Sequence, residues 1–136
     1  MQVKEFMTAD VHGITLEMTV RDSIVMLTQN KVSGAPVVDS SNHVVSVVSE
    51  GDLLKLAAAK LLDRKISACL DHFPKANKLI SLSVSSSFIE AYRLFLTNSV
   101  HRIIIMDAAG KLQGIVSRSN VLRIIVKTGG EAVGAA

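Results

Sequence analysis

The sequence predicts an α/β fold of the mixed α+β kind, made of two βαββα repeats, and three observations carry that reading. The chain repeats itself at an offset of 68 positions, each copy alternates strand-like and helix-like apolar patterns in the same order, and one helix-start signature recurs in both copies. The offset lays Ile14-Thr15-Leu16 over Leu82-Ser83-Val84, Val20 over Phe88, Met26-Leu27 over Leu94-Phe95 and Asp39 over Asp107. It continues without a gap to Val47-Val48-Ser49 over Ile115-Val116-Ser117, Asp52 over Asn120 and Leu54 over Leu122. Identities are few. The apolar pattern nevertheless stays in phase through both periods, which chance rarely preserves.

The first copy opens on a short strand, Ile14 to Leu16. Val20, Ile24 and Leu27 then fall at i, i+4 and i+7 on one face of a helix ending near Lys31. Its start is marked by Thr19-Val20-Arg21-Asp22, a capping box in which the Thr hydroxyl and the acid satisfy each other's backbone N–H groups. Ser87-Phe88-Ile89-Glu90 repeats the device 68 residues later. Gly34-Ala35-Pro36 turns the chain into Val37-Val38, and Asp39-Ser40-Ser41-Asn42 makes a hairpin connection into His43 to Val48. A helix candidate covers Leu53 to Leu62. In the second copy His101 to Met106 is a strand, Asp107-Ala108-Ala109-Gly110 turns, and Lys111 to Val116 returns before a helix from Arg118 to Val126. Both strand pairs are rich in Val and Ile, as expected of sheets covered by helices on at least one face. Asp63 to Lys78, with Pro74, reads as a connector containing a short helical turn. Thr128 to Ala136, Gly and Ala without pattern, reads as a disordered tail. The expected division is 1–62 for the first repeat with its N-terminal segment, 63–128 for connector and second repeat, and 129–136 for the tail.

Composition narrows the function classes. The chain has 136 residues, 49% of them apolar, with no Trp and one Tyr, so the interior is aliphatic. No run approaches the ~18 apolar residues of a membrane span, since Lys55 and Lys60 interrupt Leu53 to Leu62. The beginning, Met1-Gln2-Val3-Lys4-Glu5-Phe6-Met7, lacks the apolar stretch of a secretory signal, and a single cysteine, Cys69, suits a reducing compartment. A cytoplasmic protein is therefore expected. Fifteen basic residues are dispersed among twelve acidic ones, for a net charge of +3, without a basic run or interleaved aromatics; nucleic acid is not expected as a partner.

Gly34-Ala35-Pro36-Val37-Val38-Asp39 followed by Val47-Val48-Ser49-Glu50-Gly51-Asp52-Leu53-Leu54 resembles the second half of a CBS (cystathionine-β-synthase) domain. Val100-His101-Arg102-Ile103 with Val116-Ser117-Arg118-Ser119-Asn120-Val121-Leu122 resembles the partner copy, and Val3-Lys4-Glu5-Phe6-Met7-Thr8 resembles the usual lead into the first. The likeness, over residues 3 to 126, is to a tandem pair of such domains, a Bateman module. It implies two repeats packed with pseudo-two-fold symmetry, clefts between them, and frequent homodimers. The ligands it implies are AMP, ADP, ATP or S-adenosylmethionine, with a regulatory output passed to an effector protein; no effector domain is recognised in this sequence, so that partner is expected to be separate.

Ser49-Glu50-Gly51-Asp52 sits where a strand meets a helix. Backbone N–H groups at a helix start attract anions, and a carboxylate in the first turn can accept the hydroxyl protons of a ribose. The same spacing is also an ordinary capping box, worth about 0.5–2 kcal/mol to the helix, and the two roles are compatible. The resemblance implies ribose contact by Asp52. In the second copy Ser117 and Asn120 take these places, and Asn departs from the family's acid: it accepts through one oxygen only and carries no charge. Asymmetry follows, with the Asp52 cleft the better nucleotide site. The resemblance also nominates Ile14, Thr15, Gly34, Ala35 and Pro36 as an adenine wall, although the last three equally make a tight strand start. For phosphate it nominates His101 and Arg102, and Arg118 joins them because guanidinium donors match phosphate oxygens; solvated surface residues are the competing reading. No nucleophile with a base, carboxylate pair, clustered metal ligands or phosphate loop is visible in the sequence, so no enzyme is expected. A ligand-free module for dimerisation or docking, using the apolar helices Leu53 to Leu62 and Val121 to Val126, is the alternative from another class.

Overall fold

The computed structural model describes residues 1–75 and 78–134. The chain forms two compact units, one of residues 12–79 and one of residues 1–11 with those from 80 onward. In the first of these, β1 (Ile14–Thr15) pairs in parallel with β2 (Gly34–Val38), which pairs antiparallel with β3 (Val44–Ser49); α1 (Val20–Asn30) connects β1 to β2, and α2 (Glu50–Ala58) follows β3. The second unit repeats this with β4 (Ser81–Leu82), α3 (Phe88–Thr97), β5 (Arg102–Met106), β6 (Leu112–Ser117) and α4 (Arg118–Lys127). The α/β reading and the βαββα order both hold.

The repeat is reproduced bond by bond. Gly34 faces Ser49 as Arg102 faces Ser117, Pro36 faces Val47 as Ile104 faces Ile115, and a bulge falls between Val37 and Val38 as it does between Ile105 and Met106. Each of α1 to α4 opens on a capping box, at Thr19, Ser49, Ser87 and Ser117. Each hairpin is tied by an aspartate: Asp39 Oδ1 accepts from the backbone N–H groups of Ser41 and His43, and Asp107 Oδ1 from those of Ala109 and Lys111, all at 2.9 Å. Apolar residues of β1, β2, β3 and the two helices close the first core, including Ile14, Val37, Val48 and Leu56. Ile103, Ile105, Val116, Phe88 and Val121 build the second.

The Asp39 turn has a pH signature. The His43 amide, and after it that of Ser41, holds the Asp39 carboxyl below the usual carboxylate range. A group lowered on folding stabilises fully above its unfolded pKa, about 3.9, and loses that contribution as the pH falls through the lower folded value. Asp39→Ala should therefore flatten the acid limb of a urea-midpoint titration while leaving its shape near neutrality unchanged. Superimposable acid limbs would show that the turn contributes nothing.

Three boundaries differ from the sequence reading. First, α2 stops at Ala58 because Lys60 adopts a left-handed backbone (φ 62°), so the helix expected over Leu53 to Leu62 starts and ends earlier. Second, residues 1–11 join the second unit rather than the first. Val3 N–H donates to Ser86 O (2.7 Å) and Lys4 N–H to Val84 O (3.1 Å), and Phe6 packs edge-on against Phe88 with ring centroids 5.5 Å apart. In the first unit the same bonds come from the connector, where Ile66 N–H donates to Met18 O and Ser67 N–H to Leu16 O. Val3 and Ile66 are both fully buried. Each repeat is thus covered by a strap that precedes the other repeat's helices in sequence. Third, the tail is ordered through residue 134. Gly129 and Gly130 take positive φ (61° and 85°), which glycine adopts without strain, and bring Ala132 and Val133 against the second core. Residues 76 and 77 of the connector and 135 and 136 of the tail lie outside the described residues.

Candidate functional site

β3 delivers Ser49 to the start of α2, and the antiparallel register sets Gly34 directly opposite it. Ser49 N–H and Ser49 Oγ–H both donate to Asp52 Oδ2 at 2.9 Å, and Asp52 N–H donates to Ser49 Oγ at 3.2 Å. The capping role is therefore real. It consumes one carboxylate oxygen. Asp52 Oδ1 has no partner among the described residues and the side chain is half-buried, so an acceptor with charge is left over at the strand-to-helix junction. Gly34 and Ala35 are buried beside it, with no bulk to keep a planar group from the backbone.

The remaining nominees separate by register. Ile14 is fully buried in the first core and Pro36 is fully buried too, so neither offers side-chain surface for an adenine wall. Thr15 is exposed, but it pairs with Val38 at the far end of β2, about 13 Å from Gly34 at the strand rise of ~3.3 Å per residue. Parallel pairing instead runs the residue before β1, Gly13, alongside Pro36: a Cβ on Gly13 would stand 3.5 Å from Pro36 O and 2.9 Å from a Val38 methyl. Sequence reading passed over Gly13. Its signal was a glycine immediately before a two-residue apolar strand, where backbones approach closely.

The second unit carries the same frame with other chemistry. Ser117 N–H and Oγ–H donate to Asn120 Oδ1, both at 2.8 Å, and Asn120 N–H donates to Ser117 Oγ at 3.2 Å. Arg102 is opposite Ser117, Arg118 N–H donates to His101 O (3.3 Å), and Arg118 Nε donates to Val100 O (3.1 Å). His101, Arg102 and Arg118 are thus gathered at the start of α4, with His101 and Arg118 exposed. Among the described residues no group of three His, Cys, Asp or Glu side chains could hold a metal ion, and no helix is long and apolar enough to cross a membrane.

The chain matches the CBS domain twice, over residues 3–67 and 75–127. It belongs to the CBS domain family. The CBS domain-containing protein CBSX2 of Arabidopsis thaliana, a chloroplastic protein, is 31% identical over 147 residues, covering 89% of this chain and 62% of its own length; CBSX1 of the same plant is 27% identical with the same coverage. This chain therefore spans about three fifths of those two relatives. Among solved structures, CBSX2 in complex with AMP superposes with a TM-score of 0.79 at 30% identity, over 94% of this chain and 98% of that one. In CBS terms the two matches are the two βαββα repeats, and the Ser49–Asp52 and Ser117–Asn120 caps occupy corresponding places in them.

Proposed function

We propose that this CBS pair is a regulatory sensor that binds an adenosyl ligand, of the class AMP, ADP, ATP or S-adenosylmethionine, at the Asp52 junction and signals to a separate effector protein. The observation that carries the reading is the division of labour on Asp52. One oxygen caps α2, and the other remains to accept the ribose hydroxyl protons, so gripping a sugar costs the helix nothing. Ser49 lies beside it, and Gly34 and Ala35 supply the close backbone approach for the base. His101, Arg102, Ser117, Arg118 and Asn120 supply the second, chemically different junction. The complex of CBSX2 with AMP supports the ligand class. A cytoplasmic location and a non-enzymatic role belong to the same reading, the former supported by the unpaired, buried Cys69.

A specific observation favours a second reading, a dimerisation scaffold. Leu54 and Leu122, equivalent at the 68-residue offset, are 72% and 60% exposed, and Ile24, Leu27, Leu53, Leu54 and Ala57 line a cavity of about 210 Å³ between α1 and α2. Exposed leucines at the same place in both repeats suit a second copy of this chain. Binding and self-association are compatible, so the deciding experiment addresses the ligand. A thermal-shift series with adenosine, AMP, ATP and S-adenosylmethionine should raise the melting temperature with at least one of them. A hundredfold excess over Kd corresponds to about 2.7 kcal/mol of stabilisation. No shift with any of the four would leave the scaffold.

A further inference from the structure

We infer that Ser85 is a phosphoacceptor, and that a phosphate there pins the N-terminal strap to the second repeat as an ion pair already pins the connector strap to the first. In the first repeat Lys65 Nζ donates to Glu17 Oε2 at 2.9 Å, tying the strap to the loop between β1 and α1, and Arg21 pairs with Asp63 at 3.2 Å just ahead of it. The second strap has no such tie. Among the described residues no ion pair involves residues 1–11. What is missing is a charge on each side: at the 68-residue offset of the repeats Ser85 takes the place of Glu17, and at the 63-residue offset of the straps Gln2 takes that of Lys65. The backbone around the gap is unchanged, since Val84 O accepts from Lys4 N–H as Leu16 O accepts from Ser67 N–H. Lys4 is thus bonded to the residue before Ser85, and its side chain is exposed without a carboxylate partner among the described residues. Of the four serines between β4 and α3, Ser85 is the one left to carry the group. Ser87 caps α3, Ser86 is buried and its Oγ accepts from Ser83 N–H at 3.1 Å, and Ser83 corresponds to Thr15, hydroxyl for hydroxyl. Ser85 is exposed, its hydroxyl meeting Ser83 Oγ at 3.0 Å. A phosphate brings about −1.5 to −2 charges and three acceptor oxygens, more than the carboxylate it stands in for, and so can engage Lys4 on its flexible stem although Gln2 offers no charge. Glu90 in the α3 cap does not forbid this, because Glu17 coexists with Asp22 at the equivalent cap. The donor is ATP with a serine-directed protein kinase: the bond from Ser85 Oγ to the γ-phosphorus forms, the bond to the departing ADP breaks, and the hydroxyl proton passes to the kinase's base.

Fragment mass spectra of the chain purified from the cells that produce it, with phosphatases inhibited, should place phosphate on Ser85. Phosphate confined to other residues, or none, would overturn the assignment. The pinning is read separately, by hydrogen exchange on the full chain made with phosphoserine genetically encoded at position 85. The Val3 and Lys4 amides, which donate to Ser86 O and Val84 O, should exchange about threefold or more slowly than in the unmodified chain, and those of Ile66 and Ser67 at the same rate. Lys4→Met, or high salt, should erase the gain. The double variant Ser85→Glu with Gln2→Lys copies Glu17 and Lys65 into the second repeat and should reproduce it without phosphate. Unchanged or faster exchange in the phosphorylated chain, or a gain that survives Lys4→Met, would overturn the pinning.

Discussion

Replacing Asp52 with Ala should weaken binding of an adenosine ligand at least tenfold, equivalent to about 1.4 kcal/mol or more. The variant loses the charged acceptor left open for a ribose and the capping oxygen together, so α2 also loses about 0.5–2 kcal/mol. Asp52→Asn separates the two effects. Asn120 already demonstrates, in this same chain, that an amide oxygen satisfies the cap through the same two donors. The Asn variant should therefore melt close to the parent while its calorimetric affinity falls as far as that of the Ala variant. Equal affinities for parent and both variants would remove Asp52 from the site, whatever their stability.

The second large effect is expected at Gly114. A Cβ there would stand 2.7 Å from Thr8 O and 2.9 Å from Met7 Sδ, and Thr8 is held by reciprocal backbone bonds with Ile115, 2.8 and 3.0 Å long. Met7 can swing aside. The Thr8 carbonyl cannot move without breaking the bridge, so Gly114→Ala should cost about 1–3 kcal/mol, as overpacking of a close contact does. Hydrogen exchange should localise the damage, with the amides of Val3, Lys4 and Thr8 losing protection before those of β2 or β3. The first repeat provides the comparison: its equivalent residue, Ser46, keeps a side chain because Oγ donates to Pro74 O at 2.6 Å. Uniform loss of protection in both units, or none, would show that the strap does not depend on this glycine.

Much of this was legible before any coordinates because a repeat constrains itself twice. The offset of 68 aligned helix starts, hairpin aspartates and strand partners at once, and strand pairing repeats it residue for residue. What escaped was whatever obeys a different spacing or leaves no periodic trace. The straps are related by 63 positions rather than 68, matching Val3 with Ile66 and Phe6 with Cys69, so a search locked to the main offset assigns the first one to its sequence neighbour. The early end of α2 depends on one left-handed residue, Lys60, whose type gives no warning. At the junction of β3 and α2, the Ser49–Asp52 cap was legible because a Ser three residues before an acid is the spacing of a capping box. Thr15 stands on the first strand as read, but a two-residue parallel strand does not declare its register in sequence, and its pairing with Val38 left no trace there.

The crossing of the straps also bears on how the polypeptide acquires its form during synthesis. Residues 12–79 hold everything their unit requires in one uninterrupted stretch, so that half can close while the remainder is still being made. The opening eleven residues enjoy no such convenience: their partner strand, β6, is translated on the order of a hundred residues later, and closing so long a loop carries an entropic toll that grows with the logarithm of its length. A cut after residue 62 would therefore strand each fragment without its own cover, and only one of the two repeats can be lifted out of this chain as a continuous piece.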